Sequence, residues 1–402
     1  MSLKIGIKWN ESTRFTDNVT MKNIIKLTSY GQYNQTPTYH TNTAFTKDGR
    51  SLVFASARGN KSYIIRADVR SGDLIALYEA EGVGSRDYMH TFDYAEIGNG
   101  RGVCGNRLAL APQTGWAVFT HDKALLAVQI DTAVVRTLIS DIGDEWVYGA
   151  PSISWDGTII VVPISSAHPQ IIHNERLYKR YIDYDNHSMK LLYISLTDGQ
   201  IKEILSIKSC QCSHAAFCPT DHDLIYYDRN IPPRYWCGND GGKTSRIWLY
   251  RVSTGKTWPL RTSYPGVFQV HAAWTWAGDA IAYHGFMRAE GYSSGIYIGL
   301  TNKNSLPIRD YQFPHVHSYG HLNPDPVRPA LILDGDLMPG CLSWLFYDDV
   351  VPRIELICRH DTQWESMPGQ YSHPHPQSDA AGKYICYNKA ESGRSDVLVV
   401  EI

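Results

Sequence analysis

Asp48-Gly49 leads into Ser51-Leu-Val-Phe-Ala55, then come Tyr63-Ile-Ile-Arg-Ala67, Ser71-Gly72 and Leu74-Ile-Ala-Leu77. This stretch decides the fold. A glycine turn opens onto an apolar run too short for a helix, a polar turn follows, and a second and a third run come after it. The unit recurs along the chain. A second copy has Trp116-Ala-Val-Phe119, Leu125-Leu-Ala-Val-Gln-Ile130 and Val134 to Ile139, and a third has Ile159-Ile-Val-Val162, Leu191-Leu-Tyr-Ile194 and Ile201 to Leu205. A fourth reads Asp223-Leu-Ile-Tyr-Tyr227 and Ile247-Trp-Leu-Tyr250, and a fifth Ala280-Ile-Ala-Tyr283 and Gly295-Ile-Tyr-Ile-Gly299. A degenerate sixth has Ala330-Leu-Ile-Leu333, Leu345-Phe-Tyr347 and Arg353-Ile-Glu-Leu-Ile357, and the last has Tyr384-Ile-Cys-Tyr387 and Val397 to Ile402. Seven units at this period predict an all-β, seven-bladed β-propeller, one domain over residues 1–402.

The last unit lacks an outer strand, so Asn23-Ile-Ile-Lys-Leu-Thr28 is predicted to close the ring from the N-terminus. Closure leaves few free sheet edges and suits a long soluble sheet protein. A pair of β-sandwiches is the competing architecture, and it does not require the same unit throughout. Helical periodicity is nearly absent; residues 173–183, HNERLYKRYID, are read as a short helix or an ordered loop within the third blade.

Composition narrows the function classes. The chain has 402 residues and a formal charge of -2, so no basic field argues for nucleic acid. Its 26 Tyr and 11 Trp suit both β-structure and a sugar-binding surface. MSLKIGIKWNESTRF lacks the apolar core of a signal peptide, and no run is long enough to span a membrane. The eight cysteines are expected as reduced thiols of a cytoplasmic protein. Cys210-Gln-Cys212 with Cys218 and Cys237 could bind zinc, but the spacing is not a usual zinc knuckle and buried thiols are the expected reading.

The tail carries Gln370-Tyr-Ser-His373-Pro-His375-Pro376. Side chains at i and i+2 of an extended segment share a side, and two imidazoles with a carboxamide oxygen suit Mn, Fe, Co, Ni or Zn. A surface His-Pro loop is the bland alternative. Histidines recur ahead of other inner strands: His214 before Ala-Ala-Phe217, His271 before Ala-Ala-Trp274, and more loosely His321 before Leu-Asn-Pro-Asp325 and His40 before Ala44. In a propeller such positions converge at the mouth of the central channel.

These motifs resemble those of the oligogalacturonate lyases, a family of cytoplasmic seven-bladed propellers that degrade short pectin fragments. Gln370 to Pro376 is similar to the family's Gln-x-x-His-Pro-His-Pro, Arg359-His-Asp-Thr-Gln-Trp364 to its Arg-His-Asp-Thr-Ser-Trp-like stretch, and Asp144-Glu-Trp-Val-Tyr-Gly149 to its Glu-Trp-x-Gly-Tyr-Gly. His271-Ala-Ala-Trp274 stands where the family has His-Glu-Phe-Trp. The resemblance implies that His271, Gln370, His373 and His375 bind a divalent metal, Mn in the family, with Zn or another transition metal as alternatives. It implies that His214 is the catalytic base. At Lys190 the family carries an arginine, and its Cys-His-Glu-Gly-Pro segment is replaced by Tyr227-Asp-Arg-Asn-Ile-Pro-Pro-Arg-Tyr235.

The implied activity is a polysaccharide lyase that cleaves oligogalacturonides by metal-assisted β-elimination. A metal and cationic side chains offset the charge that develops when a weakly acidic uronate C5 proton is removed, and a neutral imidazole takes that proton. Lys190 is expected to act with His214, and Arg229, Arg234, Tyr235 and His321 to touch a uronic-acid oligosaccharide. An ulvan-type or other uronide lyase, a metal-dependent hydrolase and a non-catalytic binding scaffold are the alternatives. No acid pair is placed for a hydrolase, and a scaffold does not require histidines at one register.

Overall fold

The computed structural model describes residues 3–84, 100–167, 188–230, 245–261, 269–289, 292–316 and 320–402. Arg234, Tyr235, Cys237 and the 173–183 stretch lie outside them. Seven sheets form the blades of a propeller. The fourth blade shows the plan: Ala215–Cys218, Asp221–Asp228, Ile247–Arg251 and Lys256–Pro259 succeed one another as an antiparallel meander from the axis outward.

Each blade is buried on both faces, which explains why its strands read as unbroken apolar runs. In the fourth blade Leu224 and Tyr226 pack with Trp274 and Tyr283 of the fifth. Ile225 and Tyr227 pack the other way, with Val161 and Leu191 of the third. Neighbouring residues on a strand thus serve opposite interfaces.

The ring closes through the N-terminus, as expected. Asn23–Lys26 pairs with the last strand, Arg394–Glu401, in the register Ile24↔Val400 and Ile25↔Val399. Ile24 packs with Ile332 and Trp344 of the sixth blade, and Ile25 with Phe45, Leu52 and Phe54 of the first. Two further strands were not legible. Thr13–Thr16 lies outside Asn23–Lys26, and Lys8–Asn10 adds to the outer edge of the first blade against Asp73–Glu81. Both are short and largely exposed, so they carry no apolar pattern. Between them Glu11 pairs with the Arg58 guanidinium, which lies over the rings of Trp9 and Tyr30. The N-terminal segment therefore fastens the last blade to the first.

The first blade also fills the axis. After its inner strand, Tyr33–Gln35, the chain turns through a short 3-10 segment, Tyr39–Thr41, into the central channel. The His40 Nε2–H donates to the Pro151 carbonyl of the third blade at 3.2 Å, and Asn42 donates to the Trp274 carbonyl of the fifth at 2.5 Å. Thr43 donates to the Ser378 carbonyl of the seventh at 2.7 Å. His40, Asn42 and Thr43 of this plug are buried, and each donates to a backbone carbonyl of another blade. The described cysteines are free thiols. Among the described residues no helix is long and apolar enough to cross a membrane.

Removing residues 1–30 should abolish the single cooperative thermal transition, because it exposes the edge of the last blade and uncovers two interfaces. Ile25→Ala should cost about 2–4 kcal/mol in denaturant unfolding. A truncated protein that melts like the intact one rules out this closure as a determinant of stability.

Candidate active site

The loops leading into the inner strands of the fourth to seventh blades bring their histidines to one end of the ring. His214 and His321 directly precede Ala215–Cys218 and Leu322–Pro324. His271 lies within Val270–Trp274, where the ladder skips from Val270 to Ala273 and the histidine takes φ 51°. His375 has φ 48°. Left-handed backbone costs a residue with a Cβ roughly 1–2 kcal/mol, and such strain is found where a side chain must be aimed. Simple strand alternation therefore does not explain how His373 and His375 converge; the left-handed turn at His375 lies between that rule and the observed arrangement.

One ring nitrogen from each of His321, His373 and His375 lies within 4.8 Å of the other two. The His321 and His375 rings are tilted against each other with centroids 3.9 Å apart, the His271 ring centroid lies 4.5 Å from that of His321, and Trp364 backs His373 at 4.9 Å. The sequence reading put His321 on the substrate, whereas the structure places it at the centre of the histidine cluster.

Asp334 organises this cluster from behind. Its carboxylate accepts the His321 Nδ1–H at 3.2 Å, the His375 backbone N–H at 3.0 Å and the His321 backbone N–H. Burial alone would raise the Asp334 carboxyl, but His321 and these hydrogen bonds hold it below the usual carboxylate value. Asp334 thereby fixes a proton on His321 Nδ1, as in carboxylate–histidine–metal arrangements. Nδ1 of His271 lies 2.6 Å from His284 Nε2 and 3.1 Å from the Gly320 carbonyl. Burial, with neighbouring imidazoles adding to it, pushes His271 and His375 well below 6.5 and His284 down to about 3. These imidazoles are neutral at pH 7 and offer lone pairs.

His214 forms a second group beside the first. Its Nδ1–H donates to Asp228 at 3.1 Å, and its side chain is 21% exposed. Asp228 also pairs with Arg246 at 2.9 Å. Burial opposes the charge on Asp228, yet Arg246 and His214 hold its carboxyl far below the usual range. His214 is lowered by burial, partly offset by Asp228 and reinforced by Arg246 and Arg107. His40 of the plug lies under it, with ring centroids 5.3 Å apart. The two groups sense each other, since His40 and His214 both disfavour charge on His375.

The other expected residues are placed elsewhere or do not join by hydrogen bonds. Gln370 stands in the 3-10 turn Gly369–Ser372, where its backbone carbonyl accepts from Gln35 at 2.9 Å. Lys190 pairs with Glu203 at 2.8 Å and lies over Trp146 in the third blade. Arg229 lies 3.5 Å above the Trp248 ring and donates to the Tyr227 hydroxyl. Sequence reading missed Asp228, Asp334, His284, Arg246 and Arg107. The available signal was positional: Asp228, His284 and Asp334 fall at or just past the end of an apolar second-strand run, Leu224–Tyr227, Ala280–Tyr283 or Ala330–Leu333.

No family model and no curated protein matches the sequence. Solved structures do match the fold. An oligogalacturonate lyase in complex with manganese superposes with a TM-score of 0.76 at 16% identity, over 100% of this chain and 98% of that one. An oligogalacturonate lyase from Vibrio parahaemolyticus matches with a TM-score of 0.76 at 16% identity, over 99% of each chain. The chain has the fold of the oligogalacturonate lyases. A hydrazine synthase structure from Kuenenia stuttgartiensis also matches, with a TM-score of 0.54 at 13% identity over 90% of this chain and 96% of that one. One architecture thus hosts differently named enzymes, and function has to be argued from the histidines.

His40 and His284 titrate below 6.5 when folded and at about 6.5 when unfolded, so the unfolded chain binds more protons as pH falls. Stability should therefore be lost below pH 6.5, by about 1.4 kcal/mol per pH unit for each group that stays neutral in the fold. Denaturant unfolding of chelator-treated protein between neutral and mildly acid pH measures this. A flat profile contradicts the buried neutral state.

Proposed function

We propose that this protein is a propeller lyase that cleaves oligogalacturonides or a related uronic-acid oligosaccharide by β-elimination. The observation that carries the reading is a part-exposed histidine with a carboxylate behind it, His214 on Asp228, set beside a cluster of imidazoles. The fold likeness to oligogalacturonate lyases supports the same reading.

The cluster fits a divalent metal. His321, His373 and His375 present close ring nitrogens, Asp334 holds the His321 tautomer, and burial keeps His375 neutral. His271 is the proposed neighbour to this set and Gln370 the proposed oxygen ligand. Such a nitrogen-rich donor set suits Mn, Zn or another transition metal. A divalent cation held there supplies positive charge that stabilises an enolate-like uronate carboxylate.

His214 accepts the C5 proton on Nε2, and Asp228 stabilises the resulting imidazolium. The C5–H electrons form the C4–C5 double bond, the C4–oxygen bond breaks, and the leaving oxygen takes a proton from the His214 imidazolium, directly or through water, which gives a free sugar hydroxyl and restores the neutral base. Arg229, Arg234 and Tyr235 are the proposed substrate contacts. Lys190 is engaged by Glu203, so its proposed part in catalysis requires that pair to open. The place of action we propose is the cytoplasm.

Incubation with galacturonate oligomers, ulvan fragments and other uronides should produce the ultraviolet absorbance of an unsaturated uronate. No gain on any uronide overturns the reading. His214→Ala should lower kcat by roughly 10²–10⁴-fold with metal content unchanged, the usual loss for a general base. The acid limb of the wild-type rate should lie below pH 6.5, because burial lowers His214. Elemental analysis should find one transition metal per chain, lost in His375→Ala. Metal-free wild-type protein prepared without chelators contradicts the assigned centre.

A further inference from the structure

We infer that Asp228 is the positioning residue for His214, held in place by Arg246, and that this contact is one instance of a device repeated by the propeller. The inference rests on the reading of His214 as the base. In the fourth, fifth and sixth blades a histidine at or just before the start of the inner strand meets the residue that follows the apolar run of the second strand. The separations are 14 residues for His214 and Asp228, 13 for His271 and His284, and 13 for His321 and Asp334. In all three the inner histidine uses Nδ1. The antiparallel hairpin creates the contact, and the residue on the second strand sets its charge. The fifth blade offers an imidazole kept neutral by burial, whereas the fourth and sixth offer carboxylates.

Asp228 is fixed more firmly than one hydrogen bond to His214 requires. One oxygen accepts the backbone N–H of Ser213 at 2.7 Å and that of His214 at 3.1 Å. The other accepts the Ser213 hydroxyl at 2.7 Å, His214 Nδ1–H at 3.1 Å and Arg246 Nη2 at 2.9 Å. Arg246 is itself held by the Asn230 side chain at 2.9 Å and donates to the Gln269 carbonyl at 3.4 Å. An ionised carboxylate only accepts, so Nδ1 must carry a proton, and in the neutral ring, which burial favours, Nε2 then carries the lone pair. Asp228 thus selects the tautomer that can take a proton at Nε2, and the negative charge then faces the imidazolium. Arg246 and Arg107 also act on His214 and oppose its positive form, while His214 in turn disfavours charge on His40 and His375. Asp228 is the acidic group acting on it.

The test pairs a spectroscopic measurement with kinetics. In wild-type protein carrying 15N-histidine, the His214 resonances are identified by their loss in His214→Gln. They should report protonation at Nδ1 and a bare Nε2 near neutral pH. In Asp228→Asn this tautomer should no longer dominate, and kcat on the uronide turned over by the wild type should fall by roughly 10²–10⁴-fold with little change in KM. Wild-type His214 protonated at Nε2, or Asp228→Asn with wild-type kcat, overturns the assignment. If no uronide is turned over, the lyase reading fails separately, and the wild-type and variant tautomers still decide the role of Asp228. If Asp228→Asn does not fold, the wild-type spectrum decides alone.

Discussion

Ring closure is the constraint on which the rest of the molecule depends. A blade with apolar side chains on both faces needs two neighbours, and a row of such blades always has two uncovered ends unless it meets itself. Here Asn23–Lys26 completes the last blade while Lys8–Asn10 extends the first. Adjacent side chains then cover the two interfaces that flank the seam: Ile24 faces the sixth blade and Ile25 the first. The candidate site inherits this dependence. His321, His373 and His375 come from the sixth and seventh blades, and the plug that carries His40 comes from the first.

The plug gives the site its floor. Asn42 and Thr43 bond to the fifth and seventh blades, and His40 bonds to the third, so one segment ties together strands on different sides of the axis. It places a buried, neutral imidazole directly under His214. Burial, Arg246 and Arg107 all push His214 toward its neutral form, while Asp228 favours its charged form. The balance leaves an imidazole that is uncharged near neutral pH yet has a carboxylate ready to offset a gained proton.

The histidine cluster follows the same economy of charge. Burial first, and then the neighbouring imidazoles, disfavour protonation here, so His271, His284 and His375 are all shifted down. Asp334 is the anion that anchors the set, and it does so with hydrogen bonds to two of the histidine-bearing loops. Neutral imidazoles in this number, on backbone bent into left-handed turns at His271 and His375, are costly to assemble for packing alone.

Much of the fold was legible because its units are local. Each apolar run is bounded by turns, both of its faces are buried, and the pattern repeats often enough to exclude accident. The closing strand was legible because Ile24 and Ile25 retain that apolar signature, whereas Lys8–Asn10 and Thr13–Thr16 are exposed edges without one. Of the candidate site, His214, His271, His373 and His375 could be read from their place ahead of the inner strands. What only the tertiary structure decided were the contacts across hairpins and across the axis. Asp228 and Asp334 look like ordinary strand-end acids until the hairpin folds them onto His214 and His321. Lys190 looks like a candidate cation until the neighbouring strand brings Glu203 to it. The sequence by itself determined a closed ring of blades with histidines at its mouth, because repetition and burial write themselves into local pattern. Which of those histidines share a site depended on left-handed turns, bulges and partners from other blades, and these belong to distances through space rather than spacing along the chain.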